Sequence, residues 1–181
     1  MNLIKELESN RAILLLVPGI DYGEITTSLA KQLSRGTVCY FTLNKTFSSL
    51  LSNFKRHGVK TDNLLFVDAI SKSMREVPDQ AEQCYYVSSP GALTELSIVL
   101  SKVLRHNFDY IVFDSLTNLL IYQEREPVAK FISNFVNRAG ASNTKMVFYA
   151  LNMLQHADII QECSMFVDKV IDLSGSRGKE K

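Results

Sequence analysis

Two places in the sequence hold residues whose types and spacing suit chemistry. The first is the turn Val17-Pro18-Gly19-Ile20-Asp21-Tyr22-Gly23-Glu24-Ile25-Thr26-Thr27, which follows an apolar run over 12–17. A turn of this kind cradles phosphate when it reads G-x-x-x-x-G-K-[ST]. The glycines let backbone N–H groups wrap the phosphates, the lysine holds the β/γ charge, and the hydroxyl binds Mg²⁺. Counted from Gly19, the second glycine position is Glu24, the lysine position is Ile25 and the hydroxyl position is Thr26, so two of the four specified positions survive. Ile25 has no charge to give a triphosphate, and Asp21 and Glu24 put carboxylates where an anion would sit. Two unit charges about 4–6 Å apart repel by roughly 1–4 kcal/mol over plausible surface dielectrics. A helix N-terminus returns only about 0.3–1 kcal/mol of that. On the other reading, Gly19 and Gly23 only shape a turn, Glu24 favours a helix start, and Thr26 and Thr27 lie on the helix surface or pack. The second place is the apolar run 108–114, which ends in Asp114-Ser115. An Asp at such a strand end can hold Mg²⁺ directly or through water; it can equally accept hydrogen bonds from the loop that follows.

Other constellations are weaker. Ser115 lacks the G-x-S-x-G elbow of a hydrolase nucleophile. His57, His106 and His156 fall at predicted helix ends or loops, with no partner at metal-ligand spacing, and Lys55-Arg56-His57 reads as a basic helix end. Tyr85, Tyr86 and Tyr149 read as half-buried strand residues. Cys39, Cys84 and Cys163 are odd in number and far apart, which suggests neither a disulfide framework nor a zinc site and points to a reducing compartment.

The elements that must position these residues alternate in period. Strands are expected at 12–17, 37–43, 63–68, 84–87, 108–114, 146–151 and 169–173. Helices are expected at about 24–33, around Leu50, Leu51 and Phe54 up to His57-Gly58, behind Ser88-Ser89-Pro90 with Leu93, Leu96, Leu100, Val103 and Leu104, around Val128, Phe131, Ile132, Phe135 and Val136, and at 157–166. The run 108–114 is apolar on both faces, as a central parallel strand would be. This alternation predicts an α/β fold with a mostly parallel sheet covered by helices on both faces. Residues 1–173 are expected to form one domain, with 71–83 of low order and 174–181 a fraying tail.

Composition bounds the function. Of 181 residues, 46% are hydrophobic and 22% charged, which excludes a disordered chain. Lys plus Arg is 20 against 19 for Asp plus Glu, so no global electrostatic grip on nucleic acid or an acidic membrane is indicated. The start, MNLIKELESNR, lacks the apolar core of a signal peptide, and the run 12–17 is too short to cross a bilayer. A cytoplasmic protein without membrane contact is the expectation.

The broken phosphate turn, the YFTLNK run at 40–45, the SPGALTEL run at 89–96 before a long helix, Phe66-Val67-Asp68-Ala69 and Phe113-Asp114-Ser115-Leu116 together resemble the RecA/KaiC-like ATPase superfamily. More narrowly they resemble a group of small archaeal KaiC-related proteins in which the phosphate loop is degraded. The resemblance runs from about Ile13 to Leu173. It implies a RecA-like fold of the P-loop NTPase type. It also implies a vestigial nucleotide site at Gly19, Gly23, Thr26 and Thr27, and a Walker B-like Asp114-Ser115 with Asp114 the one metal position kept. The paired glutamates that activate water in active relatives match Asn44 and Lys45, neither of which is a carboxylate; Lys45 is instead a candidate anion contact. With the lysine and the glutamates both replaced, the resemblance implies an inactive domain that binds a protein partner or a second copy through a RecA-type interface. No cofactor is then expected, and any Mg-ATP or other nucleotide would bind weakly. The alternatives are a weak nucleotide-binding protein or slow ATPase using Thr26, Asp114 and Lys45, and an accessory factor of DNA recombination or repair. The mixed charge of 116–130 argues against the last.

Overall fold

The run 108–114, expected to be apolar on both faces, supplies an interior strand of one eight-stranded sheet. The computed structural model describes residues 1–174. The strands are β1 (Ala12–Val17), β2 (Val38–Thr42), β3 (Leu64–Asp68), β4 (Gln80–Ala81), β5 (Cys84–Tyr86), β6 (Tyr110–Asp114), β7 (Lys145–Leu151) and β8 (Lys169–Asp172). Their order is β4-β5-β3-β2-β6-β7-β1-β8. Every pairing is parallel except that of β4 with β5. The expected α/β fold with a mostly parallel sheet is what forms. In the common doubly wound orders the first strand lies beside the second; here β7 and β6 stand between β1 and β2.

The helices divide between the two faces. On one face lie α1 (Leu3–Ser9), α2 (Tyr22–Leu33) and α3 (Phe47–Arg56). They bury Leu3, Leu7, Leu29, Leu33, Leu50 and Phe54 against Ile13, Leu15, Tyr40, Val112 and Tyr149. On the other face lie α5 (Leu93–Val103), α7 (Arg125–Gly140) and α8 (Ala157–Ser164). There Phe131 and Phe135 of α7 meet Phe113, and Phe135 also meets Phe41 and Phe148, with ring centroids 5.5–5.9 Å apart. The short helices α4 (Ser71–Met74) and α6 (Leu116–Leu119) follow β3 and β6. Connections therefore leave β1 and β2 toward one face, and β6 and β7 toward the other. Crevices open between β2 and β6 and between β7 and β1, at the carboxyl ends where ligands bind in open α/β sheets.

Several sequence expectations need correction. Ser88, Ser89 and Pro90 do not open α5, which begins at Leu93 after Ala92 with no side-chain cap. Ser88 instead donates through N and Oγ to Glu95, at 2.8 Å each. Residues 71–83 are not of low order throughout, since they form α4 and pair β4 against β5. Tyr149 is fully buried rather than half-buried. α1, capped by Asn2 onto the Lys5 N–H, was not signalled. Of the expected tail 174–181, all but Ser174 lies outside the described residues. Among the described residues, no helix is long and apolar enough to cross a membrane.

One buried carboxylate ties the start of α3 to the sheet. Asp68, at the end of β3, accepts from Ile70 N–H (2.7 Å) and Ser71 N–H (2.8 Å) on Oδ1. Its Oδ2 accepts from Phe47 N–H (2.6 Å) and Ser71 Oγ (2.5 Å). Removing the charge leaves buried donors facing an amide that also donates. Asp68→Asn is expected to lower the unfolding free energy by about 2–4 kcal/mol, read from urea denaturation at neutral pH; a loss within error of zero would show that the Thr46 hydroxyl, which accepts from the Ser49 N–H at 3.3 Å, caps α3 unaided.

Candidate functional site

The sheet order carries the turn after β1 toward a carboxylate two strands away. Asp114 ends β6 and is 2% exposed. Its Oδ1 accepts from the Tyr22 hydroxyl in a very short contact and from Asn44 Nδ2 at 2.9 Å. Its Oδ2 accepts from the Tyr40 hydroxyl at 2.6 Å. Tyr22 is the first residue of α2, Tyr40 lies in the middle of β2 and Asn44 in the loop after it, so three segments close on one side chain. Tyr149, across from Asp114 in the β6–β7 register, lies on the same face of the sheet. Its hydroxyl and Asn44 Oδ1 are buried atoms without a hydrogen-bond partner.

Burial is the dominant electrostatic cause at this cluster. It pushes the Asp114 carboxyl up, opposed by the hydroxyls of Tyr22 and Tyr40, the charge of Lys45 and the amide of Asn44. Burial and then the Asp114 charge push the phenols of Tyr22, Tyr40 and Tyr149 well above their ordinary value. Those hydroxyls therefore stay protonated donors.

The predicted site residues take definite places. Gly19 begins a short helical turn, Gly19–Asp21, that brings Tyr22 inward. Gly23 sits one residue into α2, and its carbonyl accepts from Thr27 Oγ1 at 2.6 Å. Thr26 Oγ1 donates to the Tyr22 carbonyl at 2.8 Å. Both threonines are buried and bond back onto their own helix. Ile25 packs against the core on the α1–α3 side. Ser115 is buried beside Thr117 and Asn118, at 3.2 and 3.4 Å. The Lys45 backbone is held by Thr42, whose Oγ1 donates to the Lys45 carbonyl at 2.7 Å, and its ammonium lies over Gly23. The structure thus brings Asp114 together with Tyr22, Tyr40 and Asn44 rather than with Thr26 or Thr27. The tyrosines were missed. The signal for Tyr22 was a large aromatic inside a turn where a phosphate loop requires open backbone.

This donor set does not suit a metal. A carboxylate offers about four lone-pair positions. Three are taken here by hydroxyl and amide hydrogens, whose positive ends would also face a cation. Among the described residues, no group of three His, Cys, Asp or Glu is arranged to hold an ion. The cluster is chemically a closed latch between the β1–α2 turn and β6.

In comparisons with known proteins, no family model matches the chain and no curated protein matches it.

The latch has a pH signature. A buried carboxyl that holds its proton more tightly when folded makes the folded state bind more protons than the unfolded one. Stability then falls as pH rises from about 3.8, the ordinary aspartate value, through the raised folded value. Asp114→Asn removes that contribution, so the variant is expected to gain on wild type progressively from about pH 3.8 toward neutrality. Urea unfolding at a series of pH values checks this; a flat difference, or one that widens against the variant, would contradict it.

Proposed function

We propose that the chain is a catalytically inactive RecA/KaiC-like domain that works as a regulatory or protein-interaction module, presenting the carboxyl edge of its sheet to a protein partner or a second copy. The observation that carries this reading is the occupation of Asp114 by the protein's own donors, one of them from the turn where phosphate would be held. A Mg-ATPase working here would have to exchange Tyr22 and Tyr40 for a metal, clamp a triphosphate without a lysine at Ile25, and activate water without a carboxylate at Asn44 or Lys45.

The same edge is apolar where it meets solvent. Ile20 in the turn after β1 is 90% exposed, Leu154 after β7 is 96% exposed, and Ile121 beyond α6 is 75% exposed, with Met153 and Tyr122 beside them in sequence. These residues sit on the loops leaving three adjacent strands, β6, β7 and β1. The apolar segment 119–122 divides, with Leu119 in the core and Ile121 outside. Exposed large apolar side chains gathered at one edge suit a protein interface.

Phosphate release from Mg-ATP is expected to match a protein-free blank. Mg²⁺ is expected to add nothing to any effect of ATP on the melting midpoint. A ligand at about 100 times its Kd would stabilise by about 2.7 kcal/mol, a rise of about 5–10 °C for a domain of this size. Turnover above the blank that Asp114→Asn abolishes would overturn the inactive reading. Sedimentation velocity is expected to show concentration-dependent association that Ile20→Asp combined with Leu154→Asp weakens; association indifferent to that pair would place the interface elsewhere.

A further inference from the structure

Along the flank of α2, on the side facing α3, runs a groove of about 540 Å³. Its floor is fixed. Asn53 of α3 donates to Thr27 Oγ1 at 2.9 Å, and Thr27 in turn donates to the Gly23 carbonyl. At one end the half-buried Lys45 ammonium lies over the first turn of α2, 3.7 Å from where a Cβ on Gly23 would stand. At the other end, Lys31 Nζ donates to the His57 carbonyl at 3.2 Å, which leaves two of its N–H bonds unspent. Lys31 is eight residues beyond Gly23, about 12 Å along the helix axis.

The charge here is unbalanced. Among the described residues, neither Lys31 nor Lys45 is ion-paired, Glu24 is the one carboxylate that lines the groove, and beyond the lining the charge of Lys45 acts on the buried Asp114. His57 also lines it, and Lys55 and Arg56 sit in the adjoining last turn of α3. In a chain of net charge +1 this is a local concentration of cations. Cationic clefts of this kind focus field lines on anions. The volume lies within the range of small-molecule pockets and exceeds what a single phosphate fills.

We propose that this groove is a metal-free binding site for an elongated oligophosphate, with one phosphoryl group at Lys45 above Gly23 and another reaching toward Lys31. Ammonium groups act on phosphate as mobile point charges with several donors, so two of them spaced along a helix select a chain of anions over a single one. The Ser28 hydroxyl adds a neutral donor at the groove wall. Glu24 sets a threshold, because a ligand with one charge gains little against it. The site differs from the turn after β1 in using Lys31, two helical turns from that turn, and in making no use of Asp114. It does not depend on the domain being inactive.

The test is isothermal titration calorimetry of the full chain with inorganic tripolyphosphate in the absence of divalent metal. Saturable one-to-one binding is expected, with orthophosphate much weaker. Lys31→Glu and Lys45→Glu should each weaken it by about tenfold or more, with circular dichroism showing that each variant is folded, and Asp114→Asn should not weaken it, since it only removes a carboxylate whose charge couples to Lys45. A parallel titration with metal-free ATP separates the sources. Equal affinity means that the phosphate chain alone is recognised, and tighter binding means that the chain belongs to a nucleotide. Absence of saturable binding, or Lys31→Glu binding as well as wild type, overturns the proposal. Binding that requires Mg²⁺ and is lost in Asp114→Asn would place the ligand on the turn after β1, and would overturn the inactive reading as well.

Discussion

A carboxylate at the middle of a parallel sheet has to be solvated by the protein, and Asp114 recruits its solvation from three separate segments. The Tyr40 hydroxyl comes from β2, the Asn44 amide from the loop after it, and the Tyr22 hydroxyl from the turn after β1. Burial of a charge without such donors costs several kcal/mol. The donors are secure because burial also keeps the phenols protonated. The price of that solvation is openness: the turn that would otherwise expose backbone N–H groups to an anion is drawn down onto β6. The Leu43 N–H donating to the Asp114 carbonyl at 2.7 Å, and Asn118 Nδ2 donating to the Leu43 carbonyl at 3.1 Å, tie the loops after β2 and β6 together around the same point.

The strands and most helices were legible because their signals are local. β1 and β6 are continuous apolar runs, α7 repeats Val128, Phe131, Ile132 and Phe135 at helical spacing, and Gly58, at φ +69°, stops α3 where His57-Gly58 predicted. The latch was not legible, although Asp114 was. Its partners at 22 and 40 become neighbours only through a sheet order that inserts β7 and β6 between β1 and β2, and no periodicity encodes that order. The misplaced start of α5 has a similar origin. Ser88 and Pro90 carry a strong local cap signal, yet Glu95 captures the Ser88 N–H and hydroxyl, and the helix waits until Leu93.

The residues of the turn after β1 are consistent with one another in how they pack. Ile25 stands where a lysine would serve a phosphate, and it packs inward against the core. Thr26 and Thr27 turn their hydroxyls onto helix carbonyls at Tyr22 and Gly23, which satisfies them without a ligand. Tyr22 spends its hydroxyl on Asp114. The side chains of Tyr22, Ile25, Thr26 and Thr27 each have an internal partner or an apolar environment, so they are spent on the protein's own packing.

α2 is the element through which these features are joined. Tyr22 fixes its first residue to Asp114, Thr27 and Asn53 fasten its middle to α3, and Lys31 reaches the His57 carbonyl at the end of α3. Near its end, Gln32 accepts from the Leu3 N–H at 2.9 Å and donates to the Met1 carbonyl at 3.3 Å, which seats α1. The exposed Ile20 stands two residues before this helix, and the cationic groove lies along its flank. These contacts fasten the helix at four places along its length. Ile20 and the groove are both tied to this helix, so a contact at either one bears on α2.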